Sequence, residues 1–490
     1  MYRRASPSAL NYIPLAVMVL LLLRLLLAAT VPLLDKTEAR YAEIARLMVE
    51  TKDWVVLQVD YGFPFWAKPP LSTWLSAISF EAFGISELSA RLPSFLLHLL
   101  LLVLLGFWVK QKRISIYLPA FILLSTPEFL LHTGVVSTDT ALGCCTALAM
   151  LSFWQALQDN AALYWKYLFF VALGFGLLAK GPITLMLIVP PLLVWIALHK
   201  VGLRVLIKKL PWGIGLLTTL FIALPWYIMT EQRSPGFIDY FLIGEHFERF
   251  FNPEWSGDRY GNPKSQARGT IWGFLFIFAF PWIQFVLYKF WKERKTILQN
   301  KWVSFLGLWL LWLPLFFTFS SNILHTYILP SMVPMALLVL HWWGDLKPRK
   351  SWLALASFFP VFVILSTIVF FSWDGTKKYL NSDKYLLSHR MIRTSDVPLS
   401  TLYWKRKSYS GQFYTGAKIQ LIGSGAALDS VLQTKDKLFL VVPNKMRKEL
   451  PVKYLPKLLL IDSNHRTSLF LLNQGTEVDQ ERTVLFNIDE

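Results

Sequence analysis

YIPLAVMVLLLLRLLLAATVPLLDKTEARYAEIAR, residues 12–46, decides the fold. Its first part, Tyr12 to Leu34, is predominantly apolar and as long as a membrane crossing needs. No small-residue cleavage site follows before the charged run, so it reads as a retained helix that also directs insertion. The second part, Asp35-Lys36-Thr37-Glu38-Ala39-Arg40-Tyr41-Ala42-Glu43-Ile44, sets acids and an arginine beside hydrocarbon, with Lys68-Pro69-Pro70 further along. Charge at such a boundary is costly unless it has a partner or a task.

The rest of the chain extends this reading. Of 490 residues, 54% are hydrophobic and 16% aromatic, including 21 Trp, and the mean hydropathy is +0.44. Such a composition fits a polytopic α-helical membrane protein and not a soluble domain. The net charge of +18 does not indicate nucleic acid, because most cations flank apolar segments, where bilayer orientation and anionic headgroups explain them. Cys144 and Cys145, the only cysteines, adjoin within one apolar segment and indicate neither a disulfide framework nor a metal cluster.

Eleven apolar stretches are candidate spans: 12–34, 91–109, 114–131, 140–157, 164–179, 182–198, 212–229, 269–290, 302–320, 325–344 and 352–372. One or two more are compatible with the pattern, giving about 11–13 transmembrane helices. Segments 37–50 and 71–83 are too short to cross and read as helices at the interface. Cation clusters punctuate alternate loops: Arg3 and Arg4; Lys110, Lys112 and Arg113; Arg204, Lys208 and Lys209; Lys289, Lys292, Arg294 and Lys295; Lys347, Arg349 and Lys350. The positive-inside rule then puts the N-terminus in the cytoplasm. It also puts loops 35–90 and 230–268, the turns at 132–139, 180–182 and 321–324, and the tail on the outer side.

That tail differs in kind. Strand-like segments at 401–404, 418–423, 437–443, 457–462 and 468–474 alternate with helical signals at 426–434 and 444–450. The expected organisation is a membrane domain over residues 1–373 and a small soluble α/β domain over 374–490.

Most polar candidates fall on that one side, and each also has an ordinary structural explanation. Asp35 or Thr37 suits a helix N-cap and Glu38 a first turn, yet an acid beside Arg40 can also accept a proton or bind a metal. Lys68 can snorkel before a proline-initiated helix, or meet a phosphate as a point charge. Asp139 can cap the helix it opens. Lys180, in a tight turn, runs against the positive-inside bias. Most of Glu231, Glu245, His246, Glu248, Arg249 and Arg259 fit a solvated loop face; His246 beside Glu245 is weak grounds for a metal ligand. His325 and Tyr327 sit where aromatic belts are ordinary.

TEARYAEIAR (37–46), AKPPLSTWL (67–75) and ARLPS (90–94) together resemble the bacterial members of the protein O-mannosyltransferase superfamily. These are C-type glycosyltransferases and include transferases of 4-amino-4-deoxy-L-arabinose to lipid A. STDTAL (137–142), LLAKGP (177–182), PWY (225–227), SPGFIDYFLIGEHFERF (234–250), TYILP (326–330) and FYTG (413–416) continue the resemblance in order. It implies an undecaprenyl-type polyprenyl-phosphate sugar donor and transfer at the periplasmic face to a lipid or glycan acceptor, lipid A among them. By it, Glu38, Asp35 and Asp139 are the candidate catalytic acids. Arg40, Tyr41, Lys68, Lys180, Arg249 and Tyr327 would surround donor phosphate or acceptor, and fixed cations would stabilise the departing phosphate.

Three positions depart from the arabinose pattern. Thr37-Glu38 stands where Asp-Glu is usual, so the base role falls to Glu38 or Asp35. Ala67 stands where an acid precedes Lys-Pro-Pro, so a divalent metal shared with His246 loses a ligand. Ile323-Leu324-His325 replaces Lys-Leu-Pro before Thr-Tyr. Transfer to a protein is the nearer alternative reading. A lipid-linked-sugar transporter or flippase is the alternative of another class, although a transporter would place its polar residues at broken helices near the midplane.

Overall fold

A computed structural model describes residues 12–110, 114–251, 255, 257, 259–260, 266–320, 322–389, 401–433 and 437–473. Arg3, Arg4, Lys112 and Arg113, used above for orientation, lie outside the described residues. The chain forms two compact units, one of residues 1–30 and 47–364, the other of 31–46 and 365–490.

The first unit is helical. Among the described residues, five helices are each long and apolar enough to cross a membrane: Ile13–Thr30, Glu87–Lys110, Leu163–Lys180, Trp212–Arg233 and Arg349–Ser372. A sixth span arises if Thr270–Phe278 and Trp282–Lys292, bent by 109°, count as one. Of the remaining apolar stretches, 140–157 forms the 19-residue helix Thr138–Ala156, and others form shorter helices, among them Ile183–Leu198, Lys301–Phe317 and the paired segment His325–His341. The sequence reading of 114–131 as one continuous span gives way to two helices, Leu118–Leu124 and Pro127–His132. Pro127 accounts for this break, since proline lacks the N–H that would continue the preceding helix. Pro281 stands at the other break, between Phe278 and Trp282.

Outward faces of the long helices are apolar: Phe221 is 80% exposed and Phe358 69%. Apolar area of this extent requires a covering layer, which a bilayer supplies. The chain is a multi-pass membrane protein. Within the bundle, backbones come close where side chains are small. A Cβ on Gly215 would lie 2.2 Å from the Phe170 ring, the use of glycine expected where helices cross in a membrane. Arg24, mid-way along the first span, donates Nε to the Thr133 carbonyl (2.7 Å) and a terminal nitrogen to the Leu131 carbonyl (3.0 Å). An arginine inside hydrocarbon is thereby satisfied, and the turn after Pro127–His132 is pinned to the first helix.

The second unit contains a five-stranded sheet of Thr401–Trp404 (β3), Ile419–Ile422 (β4), Lys437–Pro443 (β5), Leu458–Ser463 (β6) and Thr467–Asn473 (β7), after the two short strands Gln58–Asp60 (β1) and Phe63–Pro64 (β2) of the first unit. The strand order is β4-β3-β5-β7-β6. β3 runs parallel to β4 and β5, while β7 is antiparallel to both β5 and β6. Alternating residues fill two cores: Leu402, Trp404, Leu440 and Val442 on one face, Tyr403, Phe439 and Val441 on the other. The five strands expected from the sequence are all present, each within about a residue of its expected bounds.

The same unit takes in residues 31–46. Leu33 donates its N–H to Tyr414 (2.7 Å), and Asp35 donates its own to the Asn381 carbonyl (2.6 Å). Helix Thr37–Thr51 follows, matching in its bounds the helix expected over 37–50. It carries a buried Glu43–Arg46 pair at 2.7 Å.

Candidate active site

In the first unit the helix Thr138–Ala156 starts at Ser137, whose hydroxyl accepts the Asp139 N–H at 3.1 Å. That cap turns the Asp139 carboxylate toward Lys180, the last residue of helix Leu163–Lys180, and the two form an ion pair. Thr326 donates its hydroxyl to the other carboxylate oxygen (2.9 Å). The Lys180 ammonium also lies 4.2 Å from the centroid of the Tyr327 ring. Asp139, Lys180 and Tyr327, far apart in sequence, therefore form one cluster.

Gly181 makes the turn possible. Its φ of +72° belongs to the left-handed region, and a Cβ there would lie 2.5 Å from Phe241. Phe241 belongs to a π-helical segment, Asp239–Glu248, a geometry frequent at functional sites. Within it, Glu245 is buried and holds two cations, Lys68 at 2.9 Å and Arg249 at 3.1 Å. Burial pushes the Glu245 carboxyl up, but the two neighbouring cations outweigh it and hold the carboxyl below its usual range. Lys68 and Arg249 are thus brought together, 181 residues apart, by an acid that the sequence placed on a solvated loop face.

His246 sits 2.7 Å by Nδ1 from the Phe241 carbonyl. Burial lowers its pKa, favouring the neutral ring. The metal implied by the resemblance does not fit these residues. Ala67 offers no side-chain ligand, its carbonyl instead accepts from the Lys68 ammonium (2.6 Å), and His246 Nδ1 is engaged.

The first-loop residues lie in the second unit. Both Asp35 oxygens are taken by Ser410, through its N–H (3.0 Å) and its hydroxyl (2.5 Å). Burial pushes the Asp35 carboxyl up, the Asp383 charge adds to this, and the pKa reaches about 6 despite the Ser410 hydrogen bonds. Glu38 is buried and accepts the Leu34 N–H at 3.2 Å, closing the helix start. The Arg40 guanidinium lies over Tyr41 (5.5 Å) and Tyr409 (5.9 Å).

Sequence reasoning missed Glu128 and His132. Glu128 is fully buried, with His132 Nδ1 at 2.8 Å and His325 Nδ1 at 2.9 Å. An acid inside the apolar run 114–131, with a histidine four residues on, was the available signal.

Comparison with known proteins bears on this arrangement. Residues 14–241 match the family model described as dolichyl-phosphate-mannose-protein mannosyltransferase. The undecaprenyl phosphate-alpha-4-amino-4-deoxy-L-arabinose arabinosyl transferase of Yersinia pestis is 32% identical over 321 residues, 62% of this chain and 54% of the relative. The Aeromonas hydrophila transferase of the same name is 30% identical over 325 residues, 63% of this chain and 55% of the relative. The matched region thus spans about half the length of these curated relatives. Crystal structures of ArnT from Cupriavidus metallidurans superimpose with TM-scores of 0.71 (bound to undecaprenyl phosphate) and 0.73 (apo), each at 17% identity. The first covers 96% of this chain and 99% of ArnT, the second 95% and 98%.

The fold is that of the polytopic C-type glycosyltransferases. Within that class, this chain resembles the bacterial aminoarabinose transferases of the protein O-mannosyltransferase superfamily.

Proposed function

We propose that this protein is an inner-membrane glycosyltransferase that moves a sugar from undecaprenyl phosphate to a lipid or glycan acceptor, with lipid A the first candidate. The observation that carries this reading is the Asp139–Lys180 pair with Thr326 and Tyr327 against it. A cation held at a membrane-helix terminus by one acid and one aromatic ring is suited to a phosphate leaving group, because it needs no reorganisation when charge develops there.

In this reading Lys180, Lys68 and Arg249 receive the polyprenyl phosphate, Lys68 and Arg249 sharing their charge between Glu245 and the ligand. Asp139 holds Lys180 in place and orients the acceptor hydroxyl. Glu38 takes the acceptor proton on the strength of the resemblance, with Arg40 and Tyr41 beside it in the motif. Asp35 is assigned a positioning role, since Ser410 occupies both its oxygens. Donor and acceptor are proposed to meet at the periplasmic face, with the N-terminus cytoplasmic and the tail domain periplasmic.

The test is a reaction of the purified protein with undecaprenyl-phosphate-linked aminoarabinose and, in parallel, lipid A, an acceptor protein or no acceptor. Expected is undecaprenyl phosphate release matched by sugar on lipid A. Matched transfer to the protein would move the assignment to protein glycosylation. Movement of intact donor between leaflets without release would replace it with a flippase.

A further inference from the structure

Glu128, His132 and His325 form a group apart from the residues assigned to donor and acceptor. One ligand atom from each lies within 4.8 Å of the others. Glu128 closes the first turn of helix Pro127–His132 and is fully buried, and His132 is 7% exposed. An ionised carboxylate in such a position costs several kcal/mol unless it is paired or bound to a cation.

Hydrogen bonding answers only part of that need. The Glu128 Oε2–His325 Nδ1 contact at 2.9 Å is a hydrogen bond. The Glu128 Oε1–His132 Nδ1 contact is as short, 2.8 Å, yet neither atom has a hydrogen-bond partner of acceptable geometry. Two buried polar atoms at contact distance, misaligned for a shared proton, are better explained as ligands converging on a third centre than as donor and acceptor. The rings are also held in place. Phe278 stacks on His325 at 4.9 Å and 18°, and the His132 and His325 ring centroids are 5.7 Å apart.

We infer that Glu128, His132 and His325 bind a divalent cation of the zinc class. Two imidazole nitrogens and a carboxylate are the donor set of three-ligand zinc sites that keep a fourth position open. Zinc arms of about 2.0–2.1 Å put neighbouring ligands roughly 3.3 Å apart, so the two carboxylate–imidazole contacts, at 2.8 and 2.9 Å, need to open by about half an ångström each. Both histidines would present Nδ1 as acceptor, with the proton on Nε2.

The site has a consequence for its neighbours. His325 opens the segment His325–Ser331, and Thr326 and Tyr327 come next in it, against Asp139 and Lys180. A cation joining His325 to helix Pro127–His132 would fix that segment at its start. This consequence rests on the proposed transfer reaction, whereas the cation site itself does not.

The test uses full-length, tag-free protein in detergent, stripped with chelator and dialysed against Zn²⁺ or Co²⁺. Expected are about one zinc per chain, the visible absorption of low-coordinate Co²⁺, and a rise in Tm with added zinc. His325→Ala, at the most exposed of the three ligands, should weaken binding by about a hundredfold or more and abolish the Co²⁺ spectrum. His132→Ala should do the same, while His246→Ala should leave both unchanged. Glu128→Gln alters a fully buried group and can fail to fold, so the histidine variants decide. Absence of stoichiometric metal in folded wild-type protein would overturn the proposal. So would a Co²⁺ spectrum unchanged in His325→Ala or lost in His246→Ala. Loss of transfer with metal binding intact would bear on the reaction and leave this site standing.

Discussion

The Lys180 ammonium and the Asp139 carboxylate pair at the ends of two different helices, with side chains only 11% and 10% exposed. Breaking one side of such a pair leaves a charge stranded in poor solvation. Lys180→Met or Asp139→Asn alone should therefore destabilise by on the order of 3–5 kcal/mol. The double variant should recover part of that loss, because neither charge is then orphaned. Thermal unfolding of the three variants in one detergent checks this; additive losses would mean the pair is not coupled.

Glu245 holds Lys68 and Arg249 together at 2.9 and 3.1 Å. If both cations bind the donor phosphate, Lys68→Ala should raise the KM for the polyprenyl-phosphate sugar by about tenfold or more, with a smaller effect on kcat. Glu245→Gln should lower stability instead, by about 1–3 kcal/mol, because two cations lose their shared acid. Steady-state kinetics and a melting curve separate the two effects.

Gly181 combines a φ of +72° with a Phe241 carbon 2.5 Å from where a Cβ would stand. Gly181→Ala should cost about 1–3 kcal/mol and displace the lysine beside it. The expected outcome is a lower Tm together with a transfer loss that the paired variant Phe241→Leu partly relieves.

Asp35 gives a pH signature. Its carboxyl, raised to about 6 by burial and by Asp383, binds its proton more tightly folded than unfolded. Stability from this group is complete below about pH 4 and is lost as pH rises through about 6, a change of order 3 kcal/mol at most. Hydrogen exchange over residues 401–415 should show protection falling across that window, and Asp35→Asn should flatten the slope. A rise in protection across the same window would reverse the sign of this assignment.

Much of this was legible in the sequence, and what was not has a common cause. The tail strands are visible because period-two apolar alternation is a local signal, and the helices at 37–51 and 71–83 because their starts and ends are marked by threonine, proline and glycine. All eleven apolar stretches are helical in part, but 114–131 and 269–290 are broken, which composition windows average away. Lys180, Asp139, Lys68 and Arg249 could be named from motif and topology. The Asp139–Lys180 and Lys68–Glu245 pairings could not, because they join residues 41 and 177 apart and nothing local records such contacts. Glu245 was hidden by its exposed-looking loop, and Glu128 by the apolar run around it.

The most direct measurement follows labelled sugar from undecaprenyl phosphate to lipid A in wild-type protein, Asp139→Asn and Lys180→Met. Expected is stoichiometric transfer with carrier release in the wild type and a loss of about a hundredfold or more in each folded variant. Wild-type rates in both variants, or no transfer by folded wild-type protein, would contradict the assignment of this pair to a glycosyltransferase site.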